Sequence, residues 1–170
     1  MKKFMLALLL LSLLINITLA YNKIHYSQEI AKIVETRYPI VVLNEKNAYL
    51  ELLSFETTFT QMSPAARNIK LQNILRETNE ASSILSPIIE LSRNSLGVNL
   101  EPLYRDTEEI YHNIYDVFVA IQNGSSMDDM KEKVDAAKVG MQKIITTGEE
   151  LNFANGTVNY KLLKEKLGHN

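Results

Sequence analysis

An all-α fold, a bundle of four long antiparallel helices with short helices flanking it at both ends, is predicted by three observations. Apolar residues recur at alternating steps of three and four from Ser27 onward, the spacing that lines one face of a helix. No stretch alternates convincingly with period two, as a half-buried strand would. Stop-and-start residues such as Ser63-Pro64 and Asn123-Gly124 cut the pattern into segments of helical length with short connections, which favours antiparallel neighbours.

Ahead of this pattern stands a different one. Lys2 and Lys3 precede an apolar stretch from Phe4 to Ile15, and Thr18-Leu19-Ala20 follows with small residues at the −3 and −1 positions of a cleavage site. Residues 1–20 read as a cleaved export signal, leaving 21–170 as a single helical-bundle domain. An uncleaved anchor is the alternative, but the stretch falls short of the roughly 20 apolar residues that span a bilayer, and Asn16 and Thr18 dilute its end.

Ser27 is suited to cap a first short helix with Ile30, Ile33 and Val34 on one face. Pro39 is expected to end it, because proline disfavours helical geometry at Tyr38. Ile40-Val41-Val42-Leu43 is the one strand candidate, or else a buried turn. Asn44 then caps a second helix with Ala48, Leu52, Phe55, Phe59 and Met62 as its seam. Ser63 at N-cap and Pro64 at N1 start a third, whose face runs Leu71, Ile74, Thr78, Ala81, Leu85 and Ile88 to a stop at Gly97. Ser86-Pro87 inside it kinks or re-initiates the helix.

The fourth helix spans Pro102 to Asn123-Gly124 on a seam of Leu103, Thr107, Ile110, Ile114, Val117 and Ile121. The fifth starts at a capping box, Ser126 with Asp129, and carries Met127, Met130, Val134, Ala137, Met141 and Ile144 to a stop at Gly148. A turn at Asn155-Gly156 leads to a short last helix with Val158, Leu162, Leu163 and Leu167.

Composition narrows the function. The chain has no cysteine, so an exported domain must be held by its core alone; about 150 residues suffice for one. Losing Lys2 and Lys3 takes the 18 basic side chains to 16 against 20 acidic, a formal charge of −4. Nucleic-acid binding needs a concentrated positive surface, and that balance argues against it. Chemistry finds few candidates. His25 and His169 lie near the ends of the mature chain; His112 lies mid-helix with Glu108, Glu109 and Asp116 within a turn. Glu109 and His112 form a single Glu-x-x-His unit, where a di-iron bundle needs two, so a solvated, ion-paired face is the expectation and no metal or cofactor is assigned. No Gly-x-Ser-x-Gly elbow, phosphate loop, dinucleotide fingerprint or His-Glu-x-x-His is present.

Three features remain. Asn123 and Asn155 head Asn-Gly-Ser and Asn-Gly-Thr sequons, glycan acceptors in a eukaryotic secretory chain and otherwise plain turn chemistry. Tyr104, Tyr111 and Tyr115, with Phe118, border the seam of the fourth helix, as a partner surface or as a half-buried boundary row. Lys161, Lys164 and Lys166 give the last helix a basic amphipathic face, a match to its dipole or to a membrane surface. Together these predict a secreted or periplasmic, non-catalytic binding module for an extracellular protein partner, through Tyr104, Tyr111 and Tyr115, with no stable membrane span once the signal is cleaved. The alternatives are a carrier whose cleft opens near Pro87 and is lined by Phe55, Phe59 and the methionines, and an enzyme using His112.

Overall fold

The computed structural model describes residues 2–96, 98–151 and 165, with the side chains of residues 2–4 and 6–8 left out of that description. Four helices pack against each other: α1 (Lys2–Thr58), α2 (Pro64–Leu96), α3 (Glu101–Gln122) and α4 (Met127–Glu150), with a 3₁₀ turn at Phe59–Gln61 between the first two. Among the described residues there is no strand. The expected last helix, the stop at Gly97 and the residues Asn155 and His169 lie outside the described residues.

The largest departure from expectation is α1. The expected breaks at Ser27, Pro39 and Asn44 all fall inside one helix, and the ambiguous run Ile40–Leu43 is helical. The reason is the phase of the buried positions. Ile30, Val34, Tyr38, Val41, Glu45, Ala48, Leu52, Phe55 and Phe59 are buried in steps of three and four with no slip at Pro39. An internal proline costs about 3 kcal/mol. Each large apolar side chain returned to the core contributes roughly 1.5–3 kcal/mol, so burial on both sides of Pro39 outweighs the lost hydrogen bond. The short N-terminal flanking helix is therefore not a separate element. Every described side chain from residue 5 to residue 26 is exposed, among them Leu9 at 65% and Ile24 at 59%.

The other elements follow their local signals more closely. Ser63 accepts from the Ala66 amide at 3.3 Å, with Pro64 as the first helical residue. All six expected seam positions of α2 are buried, and α2 continues through Pro87 without restarting. Leu103, Thr107, Ile110, Ile114 and Val117 are the buried face of α3. Gly124 at φ +84° turns the chain toward α4, whose capping box is complete: Ser126 Oγ accepts from the Asp129 amide and the Asp129 carboxylate accepts from the Ser126 amide.

Gly148 does not stop α4, which continues to Glu150 and is followed by the buried Leu151. Its role is contact. A Cβ there would lie 2.5 Å from Val42 Cγ2, and one at Gly140 would lie 2.7 Å from Ile110 Cγ1, so the two glycines let α4 approach α1 and α3 closely.

The principal packing is of α1 against α2 and α4, and of α3 against α2 and α4. Polar pairs cross each seam. Ser27 Oγ donates to the Ser95 carbonyl at 3.0 Å, and Lys70 Nζ to Ser54 Oγ at 2.7 Å. Ser82 Oγ donates to the Glu108 carboxylate. Lys143 meets Asp106 at 2.7 Å, Lys133 meets Asp116 at 3.0 Å, and Lys138 meets Glu56 at 2.8 Å.

Candidate functional site

The α3 face expected to bind is only partly a surface. Tyr104 and Phe118 are half-buried and pack against the hydrophobic core. Tyr111 and Tyr115, four residues apart, lie on the same side of the helix; their rings stack with centroids 6.3 Å apart and planes 17° from parallel. Tyr115 is 47% exposed and Val119, one turn further on, is 39% exposed. Sequence spacing named all three tyrosines together. The structure joins Tyr111 and Tyr115 and sets Tyr104 two turns away as a core-boundary residue.

His112 is exposed, its ring edge-on to Tyr111 at 5.9 Å. The ion-paired face expected around it is distributed among other helices: Glu108 accepts from Ser82 on α2, and Asp116 pairs with Lys133 on α4. Both carboxylates are drawn sideways because each neighbouring helix offers a donor at the matching height. Among the described residues no carboxylate pairs with His112 and no cluster of three metal-ligating side chains occurs.

A groove lies beside Pro87, but none of the residues expected to line a cleft there takes part in it. Phe55 and Phe59 meet edge-to-face at 5.5 Å inside the core, and Met130 and Met141 are buried there too. Their positions on the innermost stripe of each helix leave none of them for a groove. The groove beside Pro87 is open to solvent, is formed by the flank of α1, through Ile33, Arg37, Ile40 and Asn44, against Ile84, Pro87 and Leu91 of α2, and has a volume of about 500 Å³. Asn44, expected as a cap, forms part of this wall: it is 7% exposed, and its Nδ2 has no hydrogen-bond partner.

Sequence reasoning also missed Glu45. It occupies a seam position of α1 between Val41 and Ala48, is fully buried, and has no hydrogen-bond partner on either carboxylate oxygen. Desolvation pushes its carboxyl up from 4.5 to about 8, so the side chain is a neutral acid at pH 7. The signal was available, since Glu45 sits in phase with the apolar residues on either side. A helix start at Asn44 hides that signal, because it puts Glu45 in a first turn, where a glutamate is ordinarily exposed.

At the surface, Glu101 is held below the usual carboxylate range by hydrogen bonds from Arg105 and Arg93. Lys138 is raised by its bonds to Asp135 and Glu56. These are ties between helix ends and flanks, away from the α3 face. Among the described residues no helix is long and apolar enough to cross a membrane. Set against known protein families, characterised proteins and solved structures, the chain has no significant match to any of them.

Proposed function

We propose that the mature chain, residues 21–170, is an exported, non-catalytic binding module. It presents the Tyr111–Tyr115 side of α3 to a protein partner in the extracellular space, or in the periplasm of a bacterial source. The observation that carries this reading is the stacked, part-exposed tyrosine pair with Val119 beside it. Two ordered aromatic rings on a rigid helix offer large contact area at small cost in side-chain entropy, the composition that dominates protein interfaces.

The export half draws on the exposure of residues 5–26: removing residues 1–20 as a signal takes no described side chain out of the core. The bundle is read as antiparallel throughout. Rising numbers on α1 meet falling numbers on α2 through Ser27–Ser95 and Ser54–Lys70, and α3 meets α4 likewise through Asp106–Lys143 and Asp116–Lys133. In a eukaryotic source Asn123, exposed at the turn after α3, is an accessible glycan acceptor, and Asn155 is the second sequon.

The test is capture of a partner from the native extracellular fluid on immobilised mature protein. Tyr104, Tyr111 and Tyr115 are replaced by alanine, and the double variant Tyr111→Ala/Tyr115→Ala is the cleaner arm because Tyr104 also packs on the core. That double variant is expected to lose binding at least about tenfold with an unchanged helical circular dichroism spectrum. Undiminished capture by the double variant, or no capture alongside turnover of a substrate that His112→Ala abolishes, overturns the reading.

A second reading, a carrier of a small apolar ligand, draws on the groove beside Pro87. A carrier retains ligand mass in native mass spectrometry after gentle purification; a pure interaction module does not.

A further inference from the structure

α1 carries a second apolar stripe, on the side turned away from the core. Ile33, Thr36, Ile40, Leu43, Asn47 and Leu50 follow one another in steps of three, four, three, four and three, the spacing of the a and d positions of a heptad seam. All six are exposed, and the four large apolar ones stand at 38%, 41%, 55% and 55%. The buried Val34, Val41, Ala48 and Leu52 occupy the other side of the same helix, so packing within the bundle leaves this seam uncovered along about 26 Å. The apolar face continues onto α2, where Ile69 is 61% exposed and lines an open groove with Leu50 and Met62.

The seam reads the same from either end, in its steps and in its chemistry: apolar, polar, apolar, apolar, polar, apolar. Such a stripe fits a copy of itself turned end for end, which is what a two-fold contact requires. About a midpoint between Val41 and Val42, Ile33 falls opposite Leu50 of the second copy, Ile40 opposite Leu43, and Asn47 opposite Thr36. The Asn47 amide can then donate to Thr36 Oγ1, whose own hydrogen is directed at the Lys32 and Ile33 carbonyls, each 3.0 Å away, so the polar layer is not left unsatisfied when water is excluded. Charge favours the same orientation. End for end, Lys46 falls beside Pro39 and Arg37 beside Asn44, with no like charges meeting; laid parallel, Lys32 falls beside Arg37 of the other copy, which cancels the pairing of Lys46 with Glu51. The end-for-end two-fold also sets α2 beside α2, so both helices of the face are covered. From Ile33 to Ser54 that face is about 33 Å long and two helix diameters, about 20 Å, wide. It gives roughly 650 Å² per copy and about 1,300 Å² for the pair, within the range of about 1,200–2,000 Å² of specific interfaces.

We propose that the outer seam of α1, from Ile33 to Leu50, pairs antiparallel with the same seam of a second copy of this chain, forming a two-fold dimer. α3 stands at the opposite corner of the bundle, since both α1 and α3 pack principally on α2 and α4. The dimer therefore carries two Tyr111–Tyr115 faces on its far sides and can engage a partner bivalently. The pairing itself is independent of what those faces bind.

Sedimentation equilibrium of the mature protein over a concentration series, with cysteine cross-linking, tests it. The mass is expected to rise from that of one chain to that of two. Leu43→Glu, at an exposed position that leaves the core intact, sets a charge against Ile40 of the second copy and is expected to weaken association at least about tenfold with an unchanged circular dichroism spectrum. The chain has no cysteine of its own, so introduced thiols report cleanly. Thr36→Cys/Asn47→Cys is expected to oxidise to a covalent dimer, while Asn47→Cys alone is not, because the two copies of residue 47 stand about 16 Å apart in this register. Within one chain residues 36 and 47 are separated by the same distance and cannot bridge. A mass that stays at one chain throughout overturns the pairing and leaves the face to a different occupant. Association undiminished by Leu43→Glu places the contact on another surface and overturns it as well. Cross-linking by Asn47→Cys alone, or none by the double variant, refutes the antiparallel register.

Discussion

Replacing Glu45 by glutamine should remove a pH dependence of stability that the rest of the chain does not supply. The carboxyl is fully buried with neither oxygen bonded, and burial raises it from 4.5 to about 8. The folded state therefore holds a proton that the unfolded state releases. For such a group the favourable contribution is complete below about pH 4.5, is lost progressively as pH rises, and stops changing above about pH 8, where both states are ionised. Each unit of separation is worth about 1.4 kcal/mol, so between about pH 4 and pH 7 the wild type should lose about 3 kcal/mol that the glutamine variant keeps. Against a total of about 5–15 kcal/mol this is large. Urea unfolding followed by circular dichroism, on both proteins at several pH values, isolates the effect, because the other titrating groups are common to the pair. At low pH glutamine should be near neutral or slightly destabilising, since its amide hydrogens meet no acceptor either. A wild-type-minus-variant difference that stays constant across this range would mean that Glu45 ionises freely, with water reaching its position in the core.

Two further substitutions test the packing and the caps. Gly148→Ala places a methyl group 2.5 Å from Val42 Cγ2; separating α4 from α1 should cost about 1–3 kcal/mol, seen as a lower urea midpoint, and Val42→Ala in the same chain should recover part of the loss. Ser126→Ala removes the side-chain acceptor for the Asp129 amide and one partner of the carboxylate that Ser126 holds below its usual range; a loss of about 1 kcal/mol in thermal or urea unfolding is expected, with no change in ligand or partner binding.

Local chemistry was legible wherever a few adjacent residues decide the outcome. Ser63-Pro64 starts α2 and Ser126 with Asp129 starts α4, because an N-cap satisfies its own amides within one turn. The seams of α2, α3 and α4 were legible for the same reason that they bury: a three-four rhythm puts Leu71, Ile110 or Val134 on one side of its helix whatever lies opposite. The stacking of Tyr111 on Tyr115 follows from a four-residue step, while the packing of Tyr104 against the core depends on the helices beside it.

What the chain dictated unaided was the helical class, most of the buried faces and the caps of α2 and α4, since these depend on periodicity and on hydrogen bonds closed within a turn. Tertiary structure decided the rest. Pro39 stays inside α1 and Gly148 inside α4 because contacts with other helices outweigh a local preference worth a few kcal/mol. Asn44 and Arg37 share a groove, and Glu45 loses its water, only because α2 and its partners lie alongside α1. No local rule carries that information, for the facing residues are tens of positions away in the chain.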